Sequence, residues 1–417
     1  MSKPSPYQIY LAYCVGSSLL FATAYTVAAI YRVQVAGLDP FQLVLVGTTL
    51  EVTYFLFNVP TGVLADTYSR RLSVVIGVAL WGVGLLLEGS IPRFSAILIA
   101  QVIGGIGYTF VEGAIEAWLT DEVGEEQVGP ALLRGQQLGQ VAALIGIGLS
   151  VGLASVRLNL PLQVAGALFL LGAALLLRFM REPRFQRPPR AAASWLPRTT
   201  GAFRDMAETT HAGARIVRGR PLALTILTVA ALFGAFSEGF DRLWEAHFLT
   251  VVGLPSLGVL QPIVWFGIIE ASALLLGVAG AEFLRRRFLV ESPAVAVRVL
   301  LALESAIMVG AVLFALAANF PMAVAAYLIA RVPRALVYPV YTAWINRGVD
   351  PRVRATVLSM SAQADALGQF TLGPAIGAVG SLAGLRVALT VAGLALVPAV
   401  RLYQRAMRHT TETSPIP

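Results

Sequence analysis

Residues 62–71 read GVLADTYSRR. This short polar stretch has an apolar run on each side, at about 41–65 and 72–91. As a helix, each run is long enough to cross a hydrocarbon core ~30 Å thick, which takes ~20 apolar residues. The stretch therefore reads as the tight connection of a helical hairpin in a membrane. Asp66 closes one helix, and Arg70 and Arg71 open the next. Arginines at a membrane boundary are accounted for by anchoring and topology alone. An acid and a glycine at fixed offsets before them are not. Asp66 is within reach of Arg70 and Arg71, and Gly62 permits close helix contact.

Working outward, apolar runs recur at about 8–31, 95–119, 135–156 and 160–177. They continue at 222–247, 256–284, 295–318, 321–345, 355–380 and 385–402. Strands of a membrane barrel would instead show alternating segments of ~10 residues. The expected fold class is an all-α membrane protein with twelve transmembrane helices in two six-helix bundles. Composition agrees: 57% of the 417 residues are hydrophobic and 13% charged, about half the ~25% charge of a soluble domain. The expected domains are a first bundle at 1–177, a basic linker at 178–221, a second bundle at 222–403 and a tail at 404–417. The linker carries ten arginines against Glu182, Asp205 and Glu208. Its QRPPR (186–190) and WLPR (195–198) argue for an extended start, and 201–217 for an amphipathic helix on the membrane surface.

A net charge of +8 invites a nucleic-acid reading, but the basic segment has no aromatic interleaving, so no nucleic-acid partner is expected. The charge records orientation instead. With the N-terminus inside, most of the 31 basic residues face the cytoplasm, and Arg32, Arg93, Arg157, Arg242 and Arg386 remain on the other side. A multi-pass protein of the cytoplasmic (inner) membrane with both termini in the cytoplasm is expected. Lys3, the following apolar run and ATA at 22–24 imitate a secretory signal, yet the run is too long and more spans follow, so it is read as the first transmembrane helix. Cys14 stands alone, and His211, His247 and His409 are scattered, so neither a metal nor a cofactor is expected. The only lysine is Lys3, which excludes a phosphate-cradling loop and direct ATP drive. GLSVG at 148–152 matches a nucleophile pattern but lies in a helical span, not on a strand–turn–helix. The chain is not expected to be an enzyme. Its expected partners are a small-molecule substrate, protons and membrane lipids, with a monomer as the working unit.

The halves resemble each other faintly. LIAQ (98–101) opens the fourth span as LIAR (328–331) opens the tenth, both spans close on AW (117–118, 343–344), and an arginine follows each, Arg134 and Arg354. Parallel halves are a transporter architecture.

GVLADTYSRR resembles the loop signature of the major facilitator superfamily (MFS), Gly-x-Leu-Ala-Asp-basic-x-Gly-Arg-basic. Gly62, Leu64, Ala65, Asp66, Arg70 and Arg71 match it, and Thr67 and Ser69 depart from it. Twelve helices, a central basic linker and inside termini extend the resemblance over the whole chain. It implies that the loop latches the two bundles on the cytoplasmic side and releases them during transport, with fewer partners here for want of a base at Thr67. NRGVDPRVRATVLS (346–359) is similar to the family's loop into the eleventh helix, and the Gly-Pro of LGPAIG (372–377) allows bending there. The drug/proton antiporters of this family carry an arginine early in helix four and a Gly-Pro motif in helix five. Here Gln101 stands at the first position and the second is missing. Glu116 with Arg134-Gly135 looks similar to the sugar porters. The substrate stays open. The expected cytoplasmic gate comprises Gly62, Asp66, Arg70, Arg71, Glu116, Arg134 and Arg354.

Within the spans lie the acids Glu51, Glu112, Glu238, Asp241, Glu270, Glu304 and Asp365, and the bases Arg298, Arg331 and Arg334. A charge at a helix centre costs about 2.5–3.5 kcal/mol on insertion scales. Most should therefore face the interior or a wet cavity, and acids without a base beside them favour the neutral form. The candidates for proton coupling or a substrate cavity are Glu51, Glu112, Glu270, Arg331, Arg334 and Asp365, with Tyr108, Trp265, Tyr338 and Tyr341. Glu270 ranks first for depth. Arg331 and Arg334 share a helix face and either neutralise Glu304 or Asp365 or bind an anionic group. In YTFVEGAIEAW (108–118), Glu112 and Glu116 sit one turn apart, Glu112 for the cavity and Glu116 for the gate. The working hypothesis is a secondary active transporter that moves a small organic molecule by alternating access, coupled to protons, with export favoured. The alternatives are uptake of an anionic or sugar-like nutrient and, from another class, a membrane receptor or a lipid-modifying enzyme.

Overall fold

The computed structural model describes residues 4–185, 221–258, 261–287, 293–349 and 351–412. Among them, twelve helices are long and apolar enough to cross a membrane. In the first half these are α1 (Pro6–Gln34), α2 (Pro40–Thr67), α3 (Arg70–Ser90), α4 (Phe94–Val123), α5 (Glu125–Val156) and α6 (Leu160–Phe179). In the second half they are α7 (Pro221–Val252), α8 (Val264–Arg286), α9 (Ala294–Ala315), α10 (Phe320–Arg347), α11 (Thr356–Ala383) and α12 (Leu385–Met407). The twelve-helix, all-α fold expected from the apolar runs is present. Most of the expected linker, including the amphipathic stretch at 201–217, lies outside the described residues, as does the end of the tail.

Local sequence explains where the helices begin and turn. Ser5 caps α1 in a reciprocal pair with Gln8, Ser69 accepts from the Leu72 amide at the start of α3, and Asn319 accepts from the Met322 amide at the start of α10. Each side-chain oxygen satisfies an amide that the helix itself leaves unpaired. Gly124 and Gly384 take φ of 90° and 91°. That left-handed backbone lets α4 pass to α5, and α11 to α12, with one residue between them.

The described residues of Met1–Leu38 and Thr49–Asp205 form one compact unit, and those of Asp39–Thr48 and Met206–Pro417 a second. In the first, α1 packs on α5 and α6 while α3 packs on α4 and α6. In the second, α7 packs on α11 and α12 while α9 packs on α10 and α12. The second set is the first moved on by six helices, so the faint sequence duplication has a counterpart in packing. Glycines permit the closest crossings. A Cβ on Gly368 of α11 would lie 1.9 Å from the Ala231 carbonyl of α7, and one on Gly234 of α7 would lie 2.0 Å from the Asp365 carbonyl. Between membrane helices, small residues of this kind supply van der Waals contact where no hydrophobic drive exists.

Three readings of the sequence need correction. α1 continues through Gln34, so Arg32 is not a loop charge: its side chain is 8% exposed and paired with Glu88 of α3. α4 is not continuous, because it breaks at Glu112 and Gly113, the latter at φ 72°. Glu112 and Glu116 therefore do not stack along one unbroken helix. Gly62 makes no close helix contact, since a Cβ there would meet nothing within 4 Å.

Candidate functional site

The second unit contains a cavity of about 420 Å³ lined by five helices and open on one side. α7 supplies Val229 and Phe233; α9 supplies Glu304; α10 supplies Arg334, Tyr338, Tyr341 and Thr342; α11 supplies Ser361 and Asp365; and α12 supplies Tyr403. Pro333 and Pro339 lie inside α10. Neither can donate a backbone hydrogen bond, which loosens the helix on both sides of Arg334 and Tyr338. Glu304 is 1% exposed, and neither of its carboxyl oxygens has a protein hydrogen-bond partner. The Arg334 Nε, Thr342 Oγ1 and Tyr403 hydroxyl are likewise buried and unpartnered. Asp365 Oδ2 accepts from the neutral Gln369 amide at 2.7 Å, and the Tyr341 hydroxyl donates to the Ile226 carbonyl at 3.1 Å. Polar atoms buried in this number normally have partners, so the cavity is built for a polar occupant.

Beside the cavity runs a charged layer. Arg334 grips Asp241 of α7 with both terminal nitrogens, Nη2 to Oδ2 at 2.7 Å, and its guanidinium lies 5.7 Å over the Phe233 ring and 5.4 Å over that of Phe236. The arginine is thus bonded to Asp241, while its charge also reaches Glu304 and Asp365. A two-nitrogen grip of this kind holds geometry as well as charge. Tyr327, fully buried and stacked 4.4 Å from Trp244, donates to Glu270 Oε1 at 3.0 Å. Arg331 lies within electrostatic reach of Tyr327, Asp241 and Glu270.

In the first unit, the break in α4 presents Glu112 to α2. Its Oε2 accepts from the Tyr54 hydroxyl and from Asn58 Nδ2 at 3.1 Å. Tyr108 packs edge-on against Tyr54 at 5.5 Å and feels the charges of Glu112, Glu51 and Glu116. Deeper in the core, Glu88 accepts from Arg32 Nε at 2.7 Å and Gln101 Nε2 at 2.8 Å, while the Tyr31 hydroxyl holds its carbonyl at 2.7 Å.

The turn between α2 and α3 is tied to its own unit. Arg70 bonds Asp66 Oδ1 at 3.3 Å, pairs with Asp121 of α4, and donates to the Ala117 carbonyl at 3.3 Å. Arg71 reaches the Leu177 carbonyl instead of Asp66. Its backbone amide donates to Glu182 Oε2 at 3.1 Å, and the Ser69 hydroxyl donates to Glu182 Oε1. A carboxylate is well placed there, against the positive end of the α3 dipole. Glu116 is exposed and not paired with Arg134, whose guanidinium donates to Gln137 at 3.3 Å. Arg354 Nη2 points at the Val349 carbonyl at 3.5 Å.

The sequence model of the Major Facilitator Superfamily matches residues 9–371. The chain belongs to that superfamily. The uncharacterized MFS-type transporter YxaM of Bacillus subtilis (strain 168) is 21% identical over 371 residues, 88% of this chain and 87% of its own length. Multidrug resistance protein 1 of the same strain is 28% identical over 138 residues, 32% of this chain and 34% of that protein. The crystal structure of the nucleoside transporter NupG superposes with a TM-score of 0.74 at 15% identity, covering 97% of this chain and 99% of that one. At that identity the likeness shows the fold.

Of the residues singled out in the sequence, this MFS transporter gathers Arg334, Asp365, Tyr338 and Tyr341 around one cavity, with Arg331 and Glu270 in the adjoining charged layer. Trp265 is elsewhere, its indole donating to the Pro255 carbonyl at 3.0 Å and its ring packed on Phe320. Glu51, Glu112 and Tyr108 belong to the first unit. Sequence reasoning passed over Glu88, Asp121, Thr342 and Tyr403, counted Glu182 only as a linker charge, and treated Glu304 only as a counter-charge. Its position midway along α9 was the available signal, because depth makes an unpaired carboxyl costly and therefore functional.

Proposed function

We propose that this protein is a secondary active transporter of the cytoplasmic membrane, with both termini inside, that moves a small organic molecule by alternating access coupled to protons. The observation that carries the reading is Glu304, buried midway along α9, with neither carboxyl oxygen hydrogen-bonded, in the wall of the cavity that Asp365 shares. A carboxyl held away from water binds and releases protons as its surroundings change, and proton coupling needs such a group. Glu304 and Asp365 are the first carriers to test, ahead of Glu270, Glu51 and Glu112. The family points to transport rather than chemistry on the ligand, and a relative named for multidrug resistance favours export. The loop with Gly62, Asp66, Arg70 and Arg71 serves as a latch, with Glu116, Arg134 and Arg354 as further gate residues.

The test has two steps. A thermal-shift screen of metabolites and drugs at two pH values nominates a substrate, and proteoliposomes with an internal pH dye then report whether its flux carries protons. Flux that ignores an imposed pH gradient refutes proton coupling. Binding without flux points to a receptor, and a chemically altered ligand to an enzyme.

A further inference from the structure

We propose that the cavity within the second unit binds its ligand through a protonated amine held by Glu304 and Asp365, with the ligand's apolar body against Phe233, Tyr338 and Tyr341. This rests on the transport reading above and gives it a substrate class. The volume, about 420 Å³, falls in the range of small-molecule sites, ~300–1,000 Å³.

Charge decides what fits. Three charged residues line the cavity: Glu304, Asp365 and Arg334. Arg334 has both terminal nitrogens engaged by Asp241, which is not a lining residue, so only its Nε is left to bond a ligand. Asp365 is held by a neutral amide and Glu304 by no protein group. Among the described residues, neither lining carboxyl has an ion pair or an arginine hydrogen bond, and the one arginine charge that reaches both is shared with Asp241. An anionic ligand would meet two carboxyls and no uncommitted cation to receive its charge, and burying a charge without a partner is costly. An ammonium brings three N–H donors and no acceptor, which suits two carboxyl groups and the unpartnered Thr342 and Tyr403 hydroxyls. A metal ion fits less well, because no three His, Cys, Asp or Glu side chains among the described residues are grouped to hold one. The aromatic walls then receive the apolar part, and an ammonium near such rings gains cation–π attraction. Tyr338 is 75% exposed, which puts one wall of the cavity at the protein's surface.

Three probes share one ring and differ in charge: 2-phenylethylamine, 2-phenylethanol and phenylacetate. Binding to the purified full chain in nanodiscs should favour the amine by about ten-fold or more, equivalent to ~1.4 kcal/mol. Glu304→Gln and Asp365→Asn should each remove most of that preference. Should either variant fail to fold, the unaltered protein serves instead: the amine should protect Glu304 from carbodiimide modification, read by mass spectrometry, and phenylacetate should not. Equal binding of the three, preference for phenylacetate, no binding of any, or modification of Glu304 that the amine does not slow would each overturn the proposal. The outcomes separate it from the transport reading. Selective amine binding with flux that is blind to a pH gradient sinks only proton coupling, and pH-driven flux of another substrate without amine binding sinks only this inference.

Discussion

At the scale of single residues, the substitution Glu304→Gln keeps the volume of the side chain and imitates its protonated form. Accumulation driven by a pH gradient should be lost in this variant, while exchange of substrate for substrate, which moves no net proton, should persist in proteoliposomes. Asp365→Asn should behave the same way if the two carboxyls act together, and accumulation that survives both changes would move the coupling site to Glu270, Glu51 or Glu112. Arg334 offers a second test. Its guanidinium balances Asp241, so Arg334→Gln should lower thermal stability, and adding Asp241→Asn should recover it. Neutralising Glu304 or Asp365 in the same background should recover less, because the arginine is not bonded to either. Arg32 and Glu88 are more deeply buried, at 8% and 1% side-chain exposure. Arg32→Gln should cost about 3–5 kcal/mol by stranding Glu88, and the double variant with Glu88→Gln should regain most of that in a denaturation series.

Between elements, the crossing of α7 and α11 is set by backbone contact. Gly368→Val would place side-chain carbon where the Ala231 carbonyl lies 1.9 Å from an added Cβ. Both atoms belong to rigid helix backbone, so the helices must separate. Little folded protein should be recovered, as measured by monodisperse yield in detergent. Gly62→Ala is the contrasting case, because the added methyl meets nothing within 4 Å and should leave the yield unchanged. The break in α4 is another element-scale feature. Gly113 at φ 72° holds a conformation that costs other residues about 1–2 kcal/mol, so replacing it disturbs the placement of Glu112 against Tyr54 and Asn58.

For the whole molecule, the relevant test is whether the loop at 62–71 governs the transport cycle. Asp66 shares Arg70 with Asp121, so Asp66→Asn removes one of two carboxylates and loosens the turn without abolishing it. Transport should slow while the protein stays inserted, and single cysteines placed on the side bearing this loop should react faster with a membrane-impermeant probe. Unchanged flux and unchanged labelling would rule out a latch.

The number of spans, their placement and the duplication were legible in the sequence, because each follows from one-dimensional quantities. A run of ~20 apolar residues either covers the bilayer or does not, and a repeated order of helices leaves its trace in order alone. The family signature was legible too, in Gly62, Asp66, Arg70 and Arg71. Which charges meet was not. Arg334 and Asp241 are 93 residues apart, and Arg32 and Glu88 are 56 apart, so their pairing depends on helix rotation and crossing, which hydropathy does not encode. The continuous helix read through YTFVEGAIEAW also failed, because hydropathy cannot report a single left-handed glycine. The cavity is the clearest case of all: Glu304, Arg334, Asp365 and Tyr403 come from four helices, and only the packing of those helices on one another leaves a space among them.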